Sequence, residues 1–260
     1  LREELGAAQK EFRAIGAAGL VLDAETGAVI AMVSLPDFDP NNPADAPDDA
    51  RFNHITKGVY EIGSVFKVFT VAMALDSNTT SLERGYDASR PLQIGGHTIS
   101  DYHAQNRWMS TPEILVHSSN VGSALMARDV GGAVQRQYLK AFGLLGTATI
   151  DLPEVGEALV PNPWREINTM TIGFGHGIAM TPIQISSAVA AIVNGGVLRP
   201  ASLLYRDRSE LAPGDRVISA RTSKQVGALM RMVVRFGTAT RADVPGYDVG
   251  GKTGTAEKLI

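Results

Sequence analysis

Residues 61–70, EIGSVFKVFT, are apolar and helical in character, yet carry a lysine in the middle and a serine near the start. Positions i and i+3 lie on one helix face, about 5–6 Å apart at Cβ. Ser64 therefore presents its hydroxyl beside the Lys67 amine if both occupy the first turn. Gly63 permits a tight entry, and a helix N-terminus favours negative charge developing nearby. A serine hydroxyl is a weak nucleophile until a base removes its proton. An ammonium cannot do that. A lysine desolvated among Phe66, Val68 and Phe69 can, because burial and neighbouring cations lower its pKa. The bland alternative is real: S-x-x-K arises by chance about once in a few hundred residues, and lysines on apolar helices usually snorkel to solvent.

The rest of the chain sets the frame for that tetrad. It has 260 residues, 44% hydrophobic and 20% charged, with a formal net charge of −3. That length suits one large domain or two small ones, and the charge balance argues against a nucleic-acid binder. No run of about 18 apolar residues is present to span a bilayer. The opening LREELGAAQK is charged, unlike a signal peptide, and its start at Leu1 predicts a fragment of something longer. Zero cysteines exclude disulfides, thiolate zinc sites and cysteine nucleophiles.

Leu1, Leu5, Ala8, Phe12 and Ile15 recur at helical spacing and predict an opening amphipathic helix. AAGLVLDAETGAVIAMVSLP reads as two strands joined by a polar turn ending in Gly27. Residues 35–52 are rich in Pro, Asn and Asp and predict a long surface loop. Helices are expected near 64–76, 111–129, 132–143 and 220–235. TPEILVHSSN begins with Thr as N-cap and Pro at the first helical position, and TPIQISSAVAAIVNGG repeats that signature before a glycine pair. YDVGGKTGTAEKL reads as a turn entering a strand. The order is mixed α and β without βαβ periodicity.

Two further elements sharpen the first. HSSNVG holds Ser118-Ser119-Asn120, an S-x-N, and GGKTGTAEK holds Lys252-Thr253-Gly254-Thr255, a K-T-G followed by Thr. Either alone has a structural reading as strong as a functional one, since Ser and Asn often cap or break helices. In the order S-x-x-K, S-x-N, K-T-G they are specific, being the triplet known from penicillin-binding proteins and serine β-lactamases.

With YEIGSVFKVFTVAMAL, ISDYHAQNRW, VHSSNVGSALMA, FGHGIAMTPIQI and VGGKTGTAEK, the sequence resembles the transpeptidase domain of class B penicillin-binding proteins. It is most similar to the division-specific, penicillin-binding protein 3 type and its alphaproteobacterial members. The resemblance implies an α+β transpeptidase fold shared with serine β-lactamases: an antiparallel sheet flanked by helices, plus an all-helical lobe. It implies Ser64 as acylated nucleophile and Lys67 as its base. Ser118 would relay the proton to the leaving amine, while Asn120 would hold Lys67 and bond the substrate amide. Lys252 would keep the pocket positive and bond to Ser118. Thr253 and Thr255 would hold the substrate carboxylate, with the Ser64 and Thr255 N–H groups as oxyanion hole. Gly254 would let its strand pass closely over the helix that begins at Ser64.

The implied activity is D-alanyl-D-alanine transpeptidation of peptidoglycan stem peptides during septal wall synthesis, with penicillins as acylating mimics and no cofactor. The five histidines, 54, 97, 103, 117 and 176, show no metal-ligand spacing; His103 and His176 could line the cleft but read as structural or surface positions. The resemblance also implies a membrane-anchored protein on the periplasmic side, with a septal glycosyltransferase and other division proteins as partners, although nothing in this segment itself touches a membrane. Residues 1–260 are expected to be one transpeptidase domain. The family's last two strands, which follow K-T-G, its membrane anchor and its pedestal domain are expected to be missing from the segment. Two rivals stand beside this: a serine β-lactamase, or a non-enzymatic β-lactam sensor or division-protein scaffold. A class A lactamase needs a glutamate base in E-x-x-x-N; Glu154, Glu157 and Glu166 lack that Asn.

Overall fold

The computed structural model describes residues 1–256 except 206, 208, 210 and 212. It is a mixed α/β fold whose largest strand pair is an antiparallel hairpin, β1 (Ala17–Leu22) and β2 (Val29–Leu35). Gly27 turns the hairpin with φ +78°, a conformation that costs an L side chain but not glycine. Helix α1 (Arg2–Glu11) packs on β1, where Leu1 and Leu5 lie against Gly19. The expected longer apolar face fails: α1 stops at Glu11, and Phe12 and Ile15 are 74% and 80% exposed.

The nucleophile segment begins as a 3-10 turn, Gly63–Phe66, and continues as α2 (Lys67–Asp76). Every residue of α2 from Lys67 to Leu75 is buried, the pattern of a helix at the centre of a core rather than on its surface. Phe69 meets Phe66 and Phe142 edge-on, with ring centroids 5.6 and 5.5 Å apart. Phe69→Ala should therefore cost about 3–5 kcal/mol of stability, read as a fall in the denaturant midpoint.

Strands β3 (Gly85–Asp87), β4 (Leu92–Ile94), β5 (His97–Ile99) and β6 (Trp108–Ser110) were not foreseen; they pair as β3–β6 and β4–β5. They are three residues each, too short for a period-2 signal. The helix expected over 111–129 is two: α3 (Thr111–Val116) and α4 (Asn120–Val130). The break falls on the S-S-N motif, because Ser118 sits at φ +58° and Ser119 caps α4 by accepting from Gly122 N–H. The cap of α3 is Ser110, boxed with Glu113, one residue before the expected Thr111. Helices α5 (Gly132–Ala141) and α6 (Glu166–Ile172) follow. Then α7 (Pro182–Val193) starts from Thr181 and Pro182 as expected. A minimal pair, β7 (Val197–Leu198) and β8 (Asp215–Arg216), precedes α8 (Ala220–Phe236). Helices α3, α4 and α8 surround α2, and α7 lies between α8 and β1.

The K-T-G segment is not the strand that was expected. Residues 249–256 form no ladder with any described strand. Their backbone lies instead on the entry to α2, with Gly254 against Ile62 and Val65 and Thr255 against Gly63. A strand needs a neighbour to accept its N–H groups, and this segment packs on a helix start.

Candidate active site

Four elements meet around one lysine amine. Lys67 is fully buried, and its Nζ stands 2.8 Å from Ser64 Oγ, 2.7 Å from Asn120 Oδ1, 2.6 Å from the Ser118 carbonyl and 3.0 Å from Ser118 Oγ. The short Ser64 contact follows from local winding. Ser64 lies in the 3-10 turn that leads into α2 and Lys67 is its first residue, and side chains at i and i+3 share one face, most closely in a tight 3-10 winding. The Ser118 contacts come from the broken helix, whose left-handed residue turns both its carbonyl and its hydroxyl to Lys67.

Burial, then the charge of Lys252, lower the Lys67 pKa from 10.5 to about 7, against a smaller opposing effect of Asp101. Because the folded value lies below the unfolded one, the group costs stability below about pH 7 and that cost fades as pH rises towards 10.5. The partners fit a neutral amine. The Ser118 carbonyl and Asn120 Oδ1 can only accept, so they take its two N–H groups. The lone pair is then left for a hydroxyl, and Ser64 is the nearer one. The Asn120 amide is held in this orientation, since its Nδ2 donates to the Ser100 carbonyl at 2.9 Å.

Lys252 is half-buried and its pKa is lowered by burial to about 8. Its Nζ donates to the Thr253 carbonyl at 2.8 Å, not to Ser118 as expected; its effect on Lys67 is through space. Thr253 Oγ1 is 2.7 Å from Thr238 Oγ1, while Gly254 and Thr255 are exposed. A Cβ on Gly63 would collide with the Thr255 carbonyl, and its N–H lies 3.2 Å from that same point. The Thr255 backbone thus lies directly against Gly63, the residue before Ser64.

Beside Asn120 opens a cleft of about 460 Å³, lined by Ser100, Asn168, Thr171, Phe174 and His176 among others. His176 belongs to the cleft after all: its Nδ1 is 3.0 Å from Glu61 Oε2, whose Oε1 accepts from Gly177 N–H. His103 is exposed and stacks edge-on with Tyr102. Sequence reasoning missed Glu61, Ser100 and Asp101 as neighbours of the site. Their partners lie far along the chain, and no local pattern marks them. Among the described residues no group of side chains is placed to hold a metal ion.

The model for the penicillin binding protein transpeptidase domain matches residues 17–259. The chain belongs to that transpeptidase family. This transpeptidase domain is 40% identical over 261 residues to the probable peptidoglycan D,D-transpeptidase FtsI of Caulobacter vibrioides, covering 99% of this chain and 44% of that protein. It is 33% identical to the peptidoglycan D,D-transpeptidase FtsI of Escherichia coli K12, covering 98% and 43%. The chain thus spans less than half the length of these relatives. The transpeptidase domain of Burkholderia pseudomallei penicillin-binding protein 3, in its apo form, is similar in structure at TM-score 0.89 and 28% identity, covering all of this chain and 75% of that one. Among the described residues of this transpeptidase domain, no helix is long and apolar enough to cross a membrane.

Proposed function

We propose that this chain is the catalytic domain of a division-type peptidoglycan D,D-transpeptidase that works through an acyl-enzyme on Ser64. The observation that carries the reading is a wholly buried lysine, its pKa lowered to about 7, at 2.8 Å from a serine hydroxyl. Ser64 Oγ attacks the carbonyl between the last two D-alanines of a stem peptide while its proton passes to Lys67. Negative charge on the carbonyl oxygen is met by the Ser64 and Thr255 N–H groups. Ser118 Oγ carries the proton on to the departing amine as the C–N bond breaks. An amine from a neighbouring stem then attacks the ester, forming the cross-link and returning the proton to Ser64. Lys252, Thr253 and Thr255 receive the substrate's terminal carboxylate, for which Thr253 exchanges its bond to Thr238.

Penicillins acylate the same hydroxyl in this reading. None of Glu154, Glu157 and Glu166 hydrogen-bonds to Ser64 or Lys67 among the described residues, which supports a long-lived acyl-enzyme over rapid lactam hydrolysis. Residues 1–260 act as one catalytic unit of a membrane-anchored protein working on the periplasmic side, with a septal glycosyltransferase and other division proteins as partners.

Intact mass spectrometry after penicillin treatment is the direct test. The parent should gain one penicilloyl group that persists for many minutes, and Ser64→Ala should gain none. Labelling of the alanine variant would reject Ser64 as nucleophile, and fast release as penicilloate would make the chain a lactamase. The pH profile of acylation gives a second check. The rate should rise through about pH 7 as Lys67 loses its proton and fall through about pH 8 as Lys252 loses the charge that attracts the carboxylate. A rate flat from pH 6 to 9 would remove both lysines from the reaction.

A further inference from the structure

Three consecutive residues at the end of β5 and just after it, Ile99, Ser100 and Asp101, brace the S-S-N turn and the helix it starts. Ile99 is buried with Ala124 and Met170, which fixes the end of β5 on α4. The Ser100 carbonyl accepts from Asn120 Nδ2. Asp101 then receives two bonds at once: Ser119 Oγ donates to its Oδ2 at 2.7 Å, and Val121 N–H to its Oδ1 at 2.9 Å. Ser119 is 2% exposed, and the same hydroxyl accepts from Gly122 N–H. The middle serine of the motif is therefore wedged between the Asp101 carboxylate and the first turn of α4.

This bracing has a purpose in the backbone. Ser118, just before the wedge, sits at φ +58°, a conformation costing an L residue about 1–3 kcal/mol and kept only where the surroundings over-determine it. Two ordinary backbone bonds, Ser118 N–H to Leu115 O and Ser119 N–H to Ile114 O, close α3 behind it. Holding the far side falls to Asp101. Asp101 also carries a negative charge that acts on Lys67, opposing Lys252.

We propose that Asp101 is a positioning residue of the active site, clamping the S-S-N turn so that Ser118 and Asn120 face Lys67, and supplying a counter-charge to Lys67. The inference rests on the acyl-transfer reading above. It goes further in giving one carboxylate, in contact with none of the reacting groups, a geometric role and an electrostatic role that can be separated.

The test measures the second-order rate of Ser64 acylation by a fluorescent penicillin from pH 5.5 to 9 for four variants beside the parent. Asp101→Asn should slow acylation on the order of 10- to 100-fold, the scale of a small misplacement of a catalytic group. It should also move the acid limb to lower pH, since the charge that raises the Lys67 pKa is gone. Asp101→Ala should do the same. Asp101→Glu should keep the limb at the parental pH while remaining slow, its longer arm restoring charge but not the wedge. Ser119→Ala should slow acylation with the limb unmoved. A purely structural role would slow Asp101→Asn and Asp101→Glu alike, with every limb at the parental pH, and would overturn the proposal. So would an Asp101→Asn variant that labels at the parental rate. A parent unlabelled at Ser64 would instead sink the acyl-transfer reading itself.

Discussion

Lys67→Ala will slow acylation of Ser64 by about 10² to 10⁴-fold, the usual contribution of a positioned general base. The loss should lie in the acylation rate constant and not in the affinity of the initial complex, because Lys67 is buried behind Ser64 and offers no surface to a ligand. The small remaining rate should lose its rise through pH 7, since among the described residues Lys67 is the only titratable group hydrogen-bonded to Ser64 Oγ. Stopped-flow acylation over a range of penicillin concentrations separates the two constants. A weakened initial complex with an intact acylation step would show that Lys67 serves binding and that another group takes the proton.

Gly254→Ala should be nearly as damaging, for a reason that involves no chemical group. Its Cβ would collide with the Ile62 carbonyl and press on Val65, so the backbone of 253–255 must lift away from the entry to α2. That moves the Thr255 N–H, and loss of one oxyanion donor costs about 10² to 10³ in rate. Because the segment is exposed and forms no ladder, the melting temperature should change little. Unaltered acylation in Gly254→Ala would mean that the K-T-G backbone does not sit this close in solution, and the oxyanion assignment to Thr255 would fall with it.

The contrast between these variants shows what could be read from the chain. Lys67 was legible because a charge on an apolar helix contradicts its surroundings, and Gly254 only through the resemblance that its K-T-G motif carries. The Thr181-Pro182 helix start was legible from capping chemistry alone. Ser118 could be singled out by motif, but its left-handed backbone could not. Ser and Asn in HSSNVG are residues that cap or break helices, but the motif does not say that the helix stops at Val116 and restarts at Asn120, where the turn is bonded to Asp101, eighteen residues before Ser119. The strand expected at K-T-G failed because strand character needs a neighbour, and a neighbour is not a local property. Lys252 was expected on Ser118, yet bonds the carbonyl next to it in the chain; long flexible side chains settle on the nearest acceptor.

The full burial of α2 has one more consequence. A helix without an exposed residue from Lys67 to Leu75 opens only when the core as a whole opens, so its amides should exchange hydrogen at the slowest rates in the molecule. The base Lys67 is thereby mounted on the least yielding part of the protein, directly behind the attacking oxygen. Accommodation of ligands of different shape must fall to the surrounding backbone, above all the exposed stretch 102–107 and the unladdered 252–256. Deuterium uptake on binding a penicillin should accordingly drop in those two stretches and stay unchanged across 67–75.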